Sequence, residues 1–234
     1  MLTFTSHPLT AGAITDEKAL TQTFSLKSAD LIELRLDALG VGVAVVNFAQ
    51  QHFQEIPLLI TARDPHEGGL NSLELPEREE LLYSLLPFAS AIDVELANIA
   101  SYQNLLSEAR HKGVKVVLSS HNFTCFDHMA TIEALAQAQT QGADVAKAAV
   151  TLKDPLDLTL FESLLADMSD APFSLMGMGP YGPASRVLAA QHGSVLNYGY
   201  LGAEATAPGQ WPAPLLKEVI ANCPAINQQT LDPI

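Results

Sequence analysis

Eight short runs rich in valine, isoleucine and leucine recur along the sequence, and each is followed by a stretch with the pattern of a helix. The predicted strands cover residues 2–6, 30–37, 57–63, 91–96, 115–121, 144–150, 173–178 and 194–200. The predicted helices cover residues 15–26, 43–53, 76–88, 101–112, 129–141, 155–168, 183–191 and 212–221. Eight strand–helix units in 234 residues favour a closed α/β barrel, the (β/α)8 or TIM barrel, over an open doubly wound sheet. We therefore predict a single (β/α)8 barrel domain over residues 1–234.

The charge of the chain limits the partners it can bind. Its 26 acidic and 12 basic side chains give a formal charge of −14, which disfavours nucleic acid and anionic membrane surfaces as partners. No apolar run is long enough to span a membrane, and the first residues lack the pattern of a signal peptide, so we expect a cytoplasmic protein. Cys125 and Cys223 are isolated, which predicts free thiols and argues against a disulfide framework or a zinc ribbon.

Charged and polar residues collect at the predicted carboxyl ends of the strands, where proteins with a barrel of this kind carry their sites. Alternation along the second strand predicts that Glu33, Arg35 and Asp37 share one face. A structural ion network would explain any one of these groups alone. Repetition over successive strands, with three of the five arginines at one end, favours a site for a small anionic molecule. The other residues at these strand ends are Arg63, Glu67, Asp93, Glu95, Ser119, His121, Lys147, Met176, Met178, Ser185 and Arg186.

Lys147 stands within a run of small and β-branched residues that has the composition of a buried strand. A buried and unpaired ammonium is costly, so such an amine tends to lose its proton and to act as a nucleophile toward carbonyl groups. The alternative is a lysine that reaches solvent at a strand end or pairs with a carboxylate. Residues 142–150 alone favour that alternative, and the arginines, histidine and carboxylates at the same barrel end reverse the preference.

His121 is predicted on the strand next to Lys147, and it is the candidate general base because an imidazole both accepts and donates a proton near neutral pH. A Schiff base between Lys147 and a ketone gives an iminium, which accepts electrons when a neighbouring carbon loses its proton. Glu67 is a candidate for orienting the imidazole, although its position alone does not distinguish it from a surface acid. These residues predict Schiff-base chemistry.

Three further segments leave alternatives open. His121, Cys125 and His128 lie close in sequence, but their spacing fits no closed zinc set, so a metal site is disfavoured. Residues 177–182 are glycine-rich and precede a helix, which fits either an anion site at the helix N-terminus or a tight turn. Residues 206–210 follow the last strand and form either a loop that closes over the site or an ordinary surface turn.

The ordered set of motifs resembles the type I 3-dehydroquinate dehydratase family. The motifs are Glu33-x-Arg35-x-Asp37, Arg63-x-x-x-Glu67, Asp93-x-Glu95, Ser120-His121-Asn122-Phe123, Lys147, Met176-x-Met178, Ser185-Arg186 and Ala207-Pro208-Gly209-Gln210. The resemblance implies a TIM barrel that dehydrates 3-dehydroquinate to 3-dehydroshikimate in the shikimate pathway. It also implies no metal or organic cofactor and a homodimer, with a small molecule as the substrate.

The resemblance further implies roles for individual residues. Lys147 would form the imine, His121 would remove the C2 proton and later protonate the leaving hydroxyl, and Glu67 would support His121. Arg186 would bind the substrate carboxylate. The implied contacts to hydroxyls, the carboxylate and the apolar wall are Glu33, Arg35, Arg63, Thr206, Gln210, Met176, Met178 and, at the end of the first strand, Ser6. Asn122 and Thr206 depart from the family pattern, in which aspartate and serine are usual, and both keep a hydrogen-bonding side chain.

Two other functions are compatible with a barrel that carries a buried lysine. One is a class I aldolase for a sugar phosphate, which would need a phosphate site after strands 7 and 8 but not three arginines spread over strands 2, 3 and 7. The other is an inactive barrel that senses a ligand or binds a partner protein. The presence of Lys147, His121 and Glu67 together argues against an inactive barrel.

Overall fold

The computed structural model describes residues 2–4, 7–21, 26–168, 171–223 and 225–226. Eight parallel strands form a nearly closed barrel in the order β7-β6-β5-β4-β3-β2-β1-β8, with helices between them. This confirms the predicted TIM barrel. The strands are Leu9–Ile14 (β1), Leu31–Arg35 (β2), Leu58–Thr61 (β3), Ala91–Glu95 (β4), Lys115–Asn122 (β5), Val145–Thr151 (β6), Phe173–Met178 (β7) and Leu196–Tyr200 (β8).

The helices surround the barrel and pack an apolar layer against its outer face. They begin where the sequence provides caps; for example, the Asp154 side chain accepts hydrogen bonds from the amides of Leu156 and Asp157, with Pro155 in the first turn. The helices are Glu17–Thr21 (α1), Leu36–Leu39 (α2), Val43–His52 (α3), Leu75–Leu85 (α4), Gln103–His111 (α5), His128–Thr140 (α6), Pro155–Ala166 (α7), Gly182–Gln191 (α8) and Ala213–Asn222 (α9). Single 3-10 turns span Leu26–Ser28, Pro65–Glu67, Leu86–Phe88 and Leu96–Asn98. Among the described residues, no helix combines the length and the apolar character needed to cross a membrane.

The side chains inside the barrel form an apolar layer and, two residues farther along each strand, a polar layer. A lower layer consists of buried apolar side chains from Leu31, Leu59, Ala91, Val117 and Val145. Two positions farther along the same strands, where side chains again point to the same face, stand Glu33, Thr61, Asp93, Ser119 and Lys147. All five of these polar residues are buried. The apolar layer therefore forms a dry floor beneath a layer of charged and hydroxyl side chains.

The barrel is closed between β7 and β8 mainly by side chains. Among the described residues, a backbone hydrogen bond crosses near this seam from the Val195 amide to the Phe173 carbonyl (2.8 Å). The Ser174 hydroxyl donates to the Leu196 carbonyl (2.6 Å), and the Ser194 hydroxyl accepts from the Leu175 amide (3.3 Å). Serine hydroxyls thus take the place of part of the hydrogen-bond ladder that joins the other neighbouring strands.

The predicted position of the first strand, residues 2–6, is wrong. Residues 2–4 are outside any strand, and β1 is Leu9–Ile14, whose central residues 10–13 are small, so a pattern of valine, isoleucine and leucine does not mark it. Gly12 has little space around it, because a Cβ there would lie 2.5 Å from Leu201 Cδ1. Ser6, predicted at the end of the first strand, lies outside the described residues.

The end of β2 also differs from the prediction. The strand stops at Arg35, and Asp37 lies in the first turn of α2, so alternation does not place it beside Glu33 and Arg35. The buried Asp37 carboxylate instead accepts hydrogen bonds from Arg35 Nε (2.9 Å) and from the Arg63 amide (3.2 Å). Asp37 therefore anchors the pocket arginine Arg35 from outside the pocket.

Candidate active site

A pocket opens at the carboxyl ends of the strands. All the predicted site residues except Ser6, which is not described, line this pocket: Glu33, Arg35, Arg63, Glu67, His121, Lys147, Met176, Met178, Arg186, Thr206 and Gln210. Gly68, Phe123, Ala149, Tyr198 and Ala207 complete the lining. The fold therefore gathers side chains from β2, β5, β6, β7, β8 and the following loops around one cavity.

Lys147 is 5 % exposed, and its amine lies at the base of the pocket. Its Nζ donates a hydrogen bond to Asp93 Oδ2 (2.7 Å) and lies 3.9 Å from the centre of the Tyr198 ring. Burial lowers the pKa of Lys147, and the positive charge of Arg63 acts in the same direction, while Asp93 opposes the shift. The amine is therefore held in place by a carboxylate and is easier to deprotonate than a lysine in water.

His121 and Glu67 form a hydrogen-bonded pair at the rim. Glu67 Oε2 lies 2.9 Å from His121 Nδ1 and also accepts from the His121 amide at 2.9 Å. Burial lowers the pKa of His121 well below its usual value, and the charges of Arg63 and Lys147 add to that shift. A neutral imidazole with Nδ1 directed to the carboxylate leaves Nε2 as a proton acceptor. Because Ser119 pairs with Lys147 across β5 and β6, His121 lies two residues farther along on the same inner face.

Glu67 is expected to give a pH-dependent difference in stability when it is replaced by glutamine. Burial raises the pKa of Glu67 from 4.5 to about 7, so the folded protein binds this proton more tightly than the unfolded chain. The resulting stabilisation is complete below pH 4.5 and is lost as the pH rises to about 7. Glutamine does not titrate, so the Tm of Glu67→Gln minus the Tm of the parent protein should increase between these pH values and then level off. Thermal unfolding from pH 4 to 8.5 measures this difference, and a value independent of pH would contradict it.

A buried ionic network joins the floor of the pocket to the wall of the barrel. The Arg63 guanidinium contacts Asp93 Oδ2 (3.0 Å), Glu95 Oε1 (2.7 Å) and the Ser119 hydroxyl (2.7 Å). Ser119 in turn donates to Asp93 Oδ1 at 2.6 Å. Burial opposes the charge on Asp93, but Arg63 and Lys147 outweigh it and lower the pKa of this carboxyl far below its usual value. Asp93 is therefore a fixed negative charge beside the Lys147 amine.

Arg186 is the guanidinium in the pocket that lacks a carboxylate partner within the described part of the chain. It is 2 % exposed; Nη1 donates to the Tyr198 carbonyl (2.9 Å), and Nε is buried without a hydrogen-bond partner among the described residues. Burial lowers the pKa of Arg186 to about 10, which leaves it charged at neutral pH. A buried, charged and incompletely bonded guanidinium is well suited to bind an anionic group such as a carboxylate.

The loops after β7 and β8 close one side of the pocket together. The Thr206 amide and hydroxyl both donate to Gln210 Oε1 (2.7 Å each), which fixes the short loop that contributes Thr206, Ala207 and Gln210 to the lining. The Gly179 amide binds the Pro208 carbonyl (3.0 Å), and the Gly182 amide binds the Gly179 carbonyl (3.0 Å). These glycine amides are engaged in loop contacts, which favours the tight-turn interpretation of residues 177–182 over the anion site.

Three residues that touch Lys147 or its partners have no role predicted from the sequence: Asp93, Ser119 and Tyr198. The sequence predicts Asp93 and Ser119 at strand ends. It does not reveal the strand register that brings Asp93 to Lys147 and Ser119 to Arg63. Tyr198 had a usable signal, because it is the inward-facing aromatic residue of the last strand. Within the described residues, no group of three or more histidine, cysteine, aspartate and glutamate side chains is arranged to hold a metal ion.

The sequence that builds this site is similar to that of known proteins over most of its length. The sequence profile of the family described as type I 3-dehydroquinase matches residues 7–223. The chain belongs to this family. A relative from Acinetobacter baylyi, named catabolic 3-dehydroquinate dehydratase, is 33 % identical over 91 % of this chain and 83 % of its own length. A 3-dehydroquinate dehydratase from Enterococcus faecalis is 33 % identical over 90 % of this chain and 87 % of its own length.

Solved structures of type I 3-dehydroquinase relatives have the same fold. The 3-dehydroquinate dehydratase from Enterococcus faecalis superposes with a TM-score of 0.77 at 26 % identity, covering 94 % of this chain and 96 % of the other. The corresponding protein from Aquifex aeolicus gives a TM-score of 0.76 at 28 % identity, covering 90 % of this chain and 96 % of the other. As a member of the type I 3-dehydroquinase family, the chain is an enzyme of the hydro-lyase class.

Proposed function

We propose that this protein dehydrates 3-dehydroquinate to 3-dehydroshikimate, a step of the shikimate pathway, through a Schiff base on Lys147. Membership of the type I 3-dehydroquinase family supports the overall reaction. The single observation that carries the mechanism is the Lys147 amine, buried at the base of the pocket with a lowered pKa and one strand away from His121. Homodimer formation, action in the cytoplasm and a single catalytic domain over residues 1–234 belong to the same proposal.

The proposed reaction begins at the substrate ketone. The neutral Lys147 amine adds to the carbonyl carbon, and loss of water gives an imine whose protonated form carries a positive charge on nitrogen. Asp93, which stays ionised beside Nζ, is placed to stabilise this charge, and the Tyr198 ring adds a cation–π contact. The protonated imine is the electron sink for the next step.

His121 then moves the protons of the elimination. Its neutral imidazole removes a proton from C2, next to the imine carbon, and the electrons of the broken C–H bond shift toward the imine nitrogen. As they return, the C1–OH bond breaks, and the protonated His121 donates its proton so that the hydroxyl leaves as water. Hydrolysis of the imine returns Lys147 and releases the enone acid. One water is lost overall, since the water released on imine formation is consumed on hydrolysis.

The remaining pocket residues are proposed to bind and orient the substrate. Arg186 pairs with the substrate carboxylate, for which its free donors and buried charge are suited. The contacts to substrate hydroxyls are assigned to Glu33, Arg35, Arg63, Thr206 and Gln210, and the apolar wall to Met176 and Met178. Glu67 keeps the His121 ring in one orientation through the 2.9 Å contact at Nδ1.

The two alternative functions fit the site less well. A class I aldolase for sugar phosphates would use a phosphate site at the loops after β7 and β8, and the amides of Gly179 and Gly182 there are bound to carbonyls within these loops. Burying the Lys147 amine beside Asp93 and burying Arg186 without a carboxylate partner are both costly. In an inactive barrel no function would offset this cost.

Borohydride trapping tests the proposed chemistry directly. Sodium borohydride added with 3-dehydroquinate is expected to reduce the imine and leave a covalent adduct on Lys147, identified by mass spectrometry of the intact protein and of its peptides. Borohydride without substrate should leave the mass unchanged. An unmodified protein, or an adduct on another lysine, would rule out the imine on Lys147.

A further inference from the structure

Arg78 is buried in α4, on the outer side of the barrel wall, and does not line the pocket. It is 2 % exposed, and its guanidinium binds two carboxylates at once: Nη1 contacts Glu95 Oε2 at 3.0 Å, and Nη2 contacts Asp64 Oδ2 at 2.6 Å. A buried cation on the far side of the wall needs an explanation, because an apolar residue at this helix position would be cheaper to bury. Each of its two carboxylate partners leads to one half of the proposed catalytic machinery.

The Glu95 branch leads to the nucleophile. The other oxygen of this carboxylate, Oε1, binds Arg63 Nη1 at 2.7 Å. Arg63 Nη2 binds Asp93 Oδ2 at 3.0 Å, and the same Asp93 oxygen accepts from Lys147 Nζ at 2.7 Å. Positive and negative groups alternate along this path from α4 to the amine, so the position of each depends on the next.

The Asp64 branch leads to the general base. Asp64 Oδ1 accepts from the His66 amide (2.8 Å), which caps the 3-10 turn Pro65–Glu67. The other oxygen, Oδ2, is held by Arg78 and by the Asn98 side-chain amide (2.9 Å). Glu67 ends this turn and binds His121 at 2.9 Å. Arg78 thus fixes the cap of the turn that supplies the partner of His121.

We propose that Arg78 is a positioning residue. From outside the barrel it fixes the position of Lys147 relative to the His121–Glu67 pair, an inference that rests on the proposed function. A guanidinium suits this task because its fork of donors binds two carboxylates in a fixed geometry. Its charge also acts on the amine. The charged and titratable groups around Lys147 are Asp93 from β4, Arg63 after β3, Glu33 from β2, His121 from β5 and Tyr198 from β8. Arg78 supplies a further positive charge behind Arg63.

The test compares Arg78→Met with Arg110→Met, in which an arginine of the same charge is removed from the exposed outer face of α5. For Arg78→Met we expect kcat to fall about 10- to 100-fold, as for a small displacement of reacting groups, with KM for 3-dehydroquinate within about threefold of the parent value. Losing a positive charge favours the protonated amine, so the pH at half-maximal rate of borohydride trapping should rise by about half to one unit. Arg110→Met should change neither quantity.

Arg78→Lys keeps the charge but loses the fork, and it decides the question if Arg78→Met does not fold. We expect its trapping midpoint to stay at the parent pH, while kcat falls about 3- to 10-fold because one ammonium cannot hold both carboxylates in the same geometry. A parent-like kcat in Arg78→Lys, or a parent-like kcat and trapping midpoint in a folded Arg78→Met, would overturn the inference. If the parent protein itself forms no adduct, the proposed function has failed, whatever the variants do.

Discussion

Replacing Lys147 with methionine is expected to lower kcat by more than about 10⁴-fold and to abolish the borohydride adduct. The loss should exceed that of an acid–base group, because without the amine no imine and no electron sink form. The folded state should persist. Methionine fills most of the same space, and Asp93 keeps its contacts with Arg63 (3.0 Å) and the Ser119 hydroxyl (2.6 Å), so no buried charge is left alone. Steady-state turnover and mass spectrometry of the borohydride-treated variant measure the two effects.

Lys153→Met is the matched control for this experiment. Lys153 follows the same strand, β6, but is exposed and lies outside the pocket. Its replacement should leave turnover and adduct formation at parent levels. Substantial turnover in Lys147→Met, with a circular dichroism spectrum like that of the parent, would show that the reaction proceeds without this amine.

Replacing His121 with alanine is expected to lower kcat by about 10²–10⁴-fold, the usual contribution of a general acid–base group. Imine formation does not require this proton transfer, so the variant should still give the covalent adduct on Lys147. A low kcat together with a normal yield of adduct would show that His121 acts after the imine has formed. Single-turnover kinetics together with borohydride trapping show whether the variant accumulates the imine and stops before loss of the C2 proton.

His111→Ala provides the comparison, since His111 is exposed at the end of α5 and away from the pocket. It should behave as the parent protein in both assays. If His121→Ala kept parent turnover, another group would have to move the proton. If it lost the adduct as well, His121 would be acting on imine formation and the assigned order of steps would be wrong.

Much of the fold was predictable because its strands follow an apolar pattern. β7 has the predicted limits, and β2 to β6 and β8 differ from the predictions only at their ends. β1 was missed because its composition follows from close packing: Gly12 leaves room for Leu201, which a local pattern of large apolar residues does not reveal. The misplacement of Asp37 has a similar origin, since alternation holds only while the chain remains a strand.

The pocket members were predictable from strand ends, but the contacts between them were not. Lys147, His121 and Arg186 each stand where a barrel presents side chains to its cavity. That Asp93 meets Lys147, and that Ser119 meets Arg63, depends on the register of β3 to β6, which residue types alone do not determine. The role of Arg78 was not predictable from the sequence for another reason. It lies in a helix, so the rule that directs attention to strand ends excludes it, although it binds Glu95.

The seam between β7 and β8 bears on how this chain avoids unwanted association. In hydrogen-bonding terms the barrel is a continuous sheet of eight strands with β7 and β8 as its two edges, and exposed edges invite pairing with strands of other molecules. Here the amides of Leu175 and Gly177 are occupied by the hydroxyls of Ser194 and Ser185, and the Leu196 carbonyl is occupied by that of Ser174. A few serines therefore occupy backbone groups of these edges that could otherwise pair with a strand of another molecule, and Ser174 and Ser194 do so at the end of the barrel opposite the pocket.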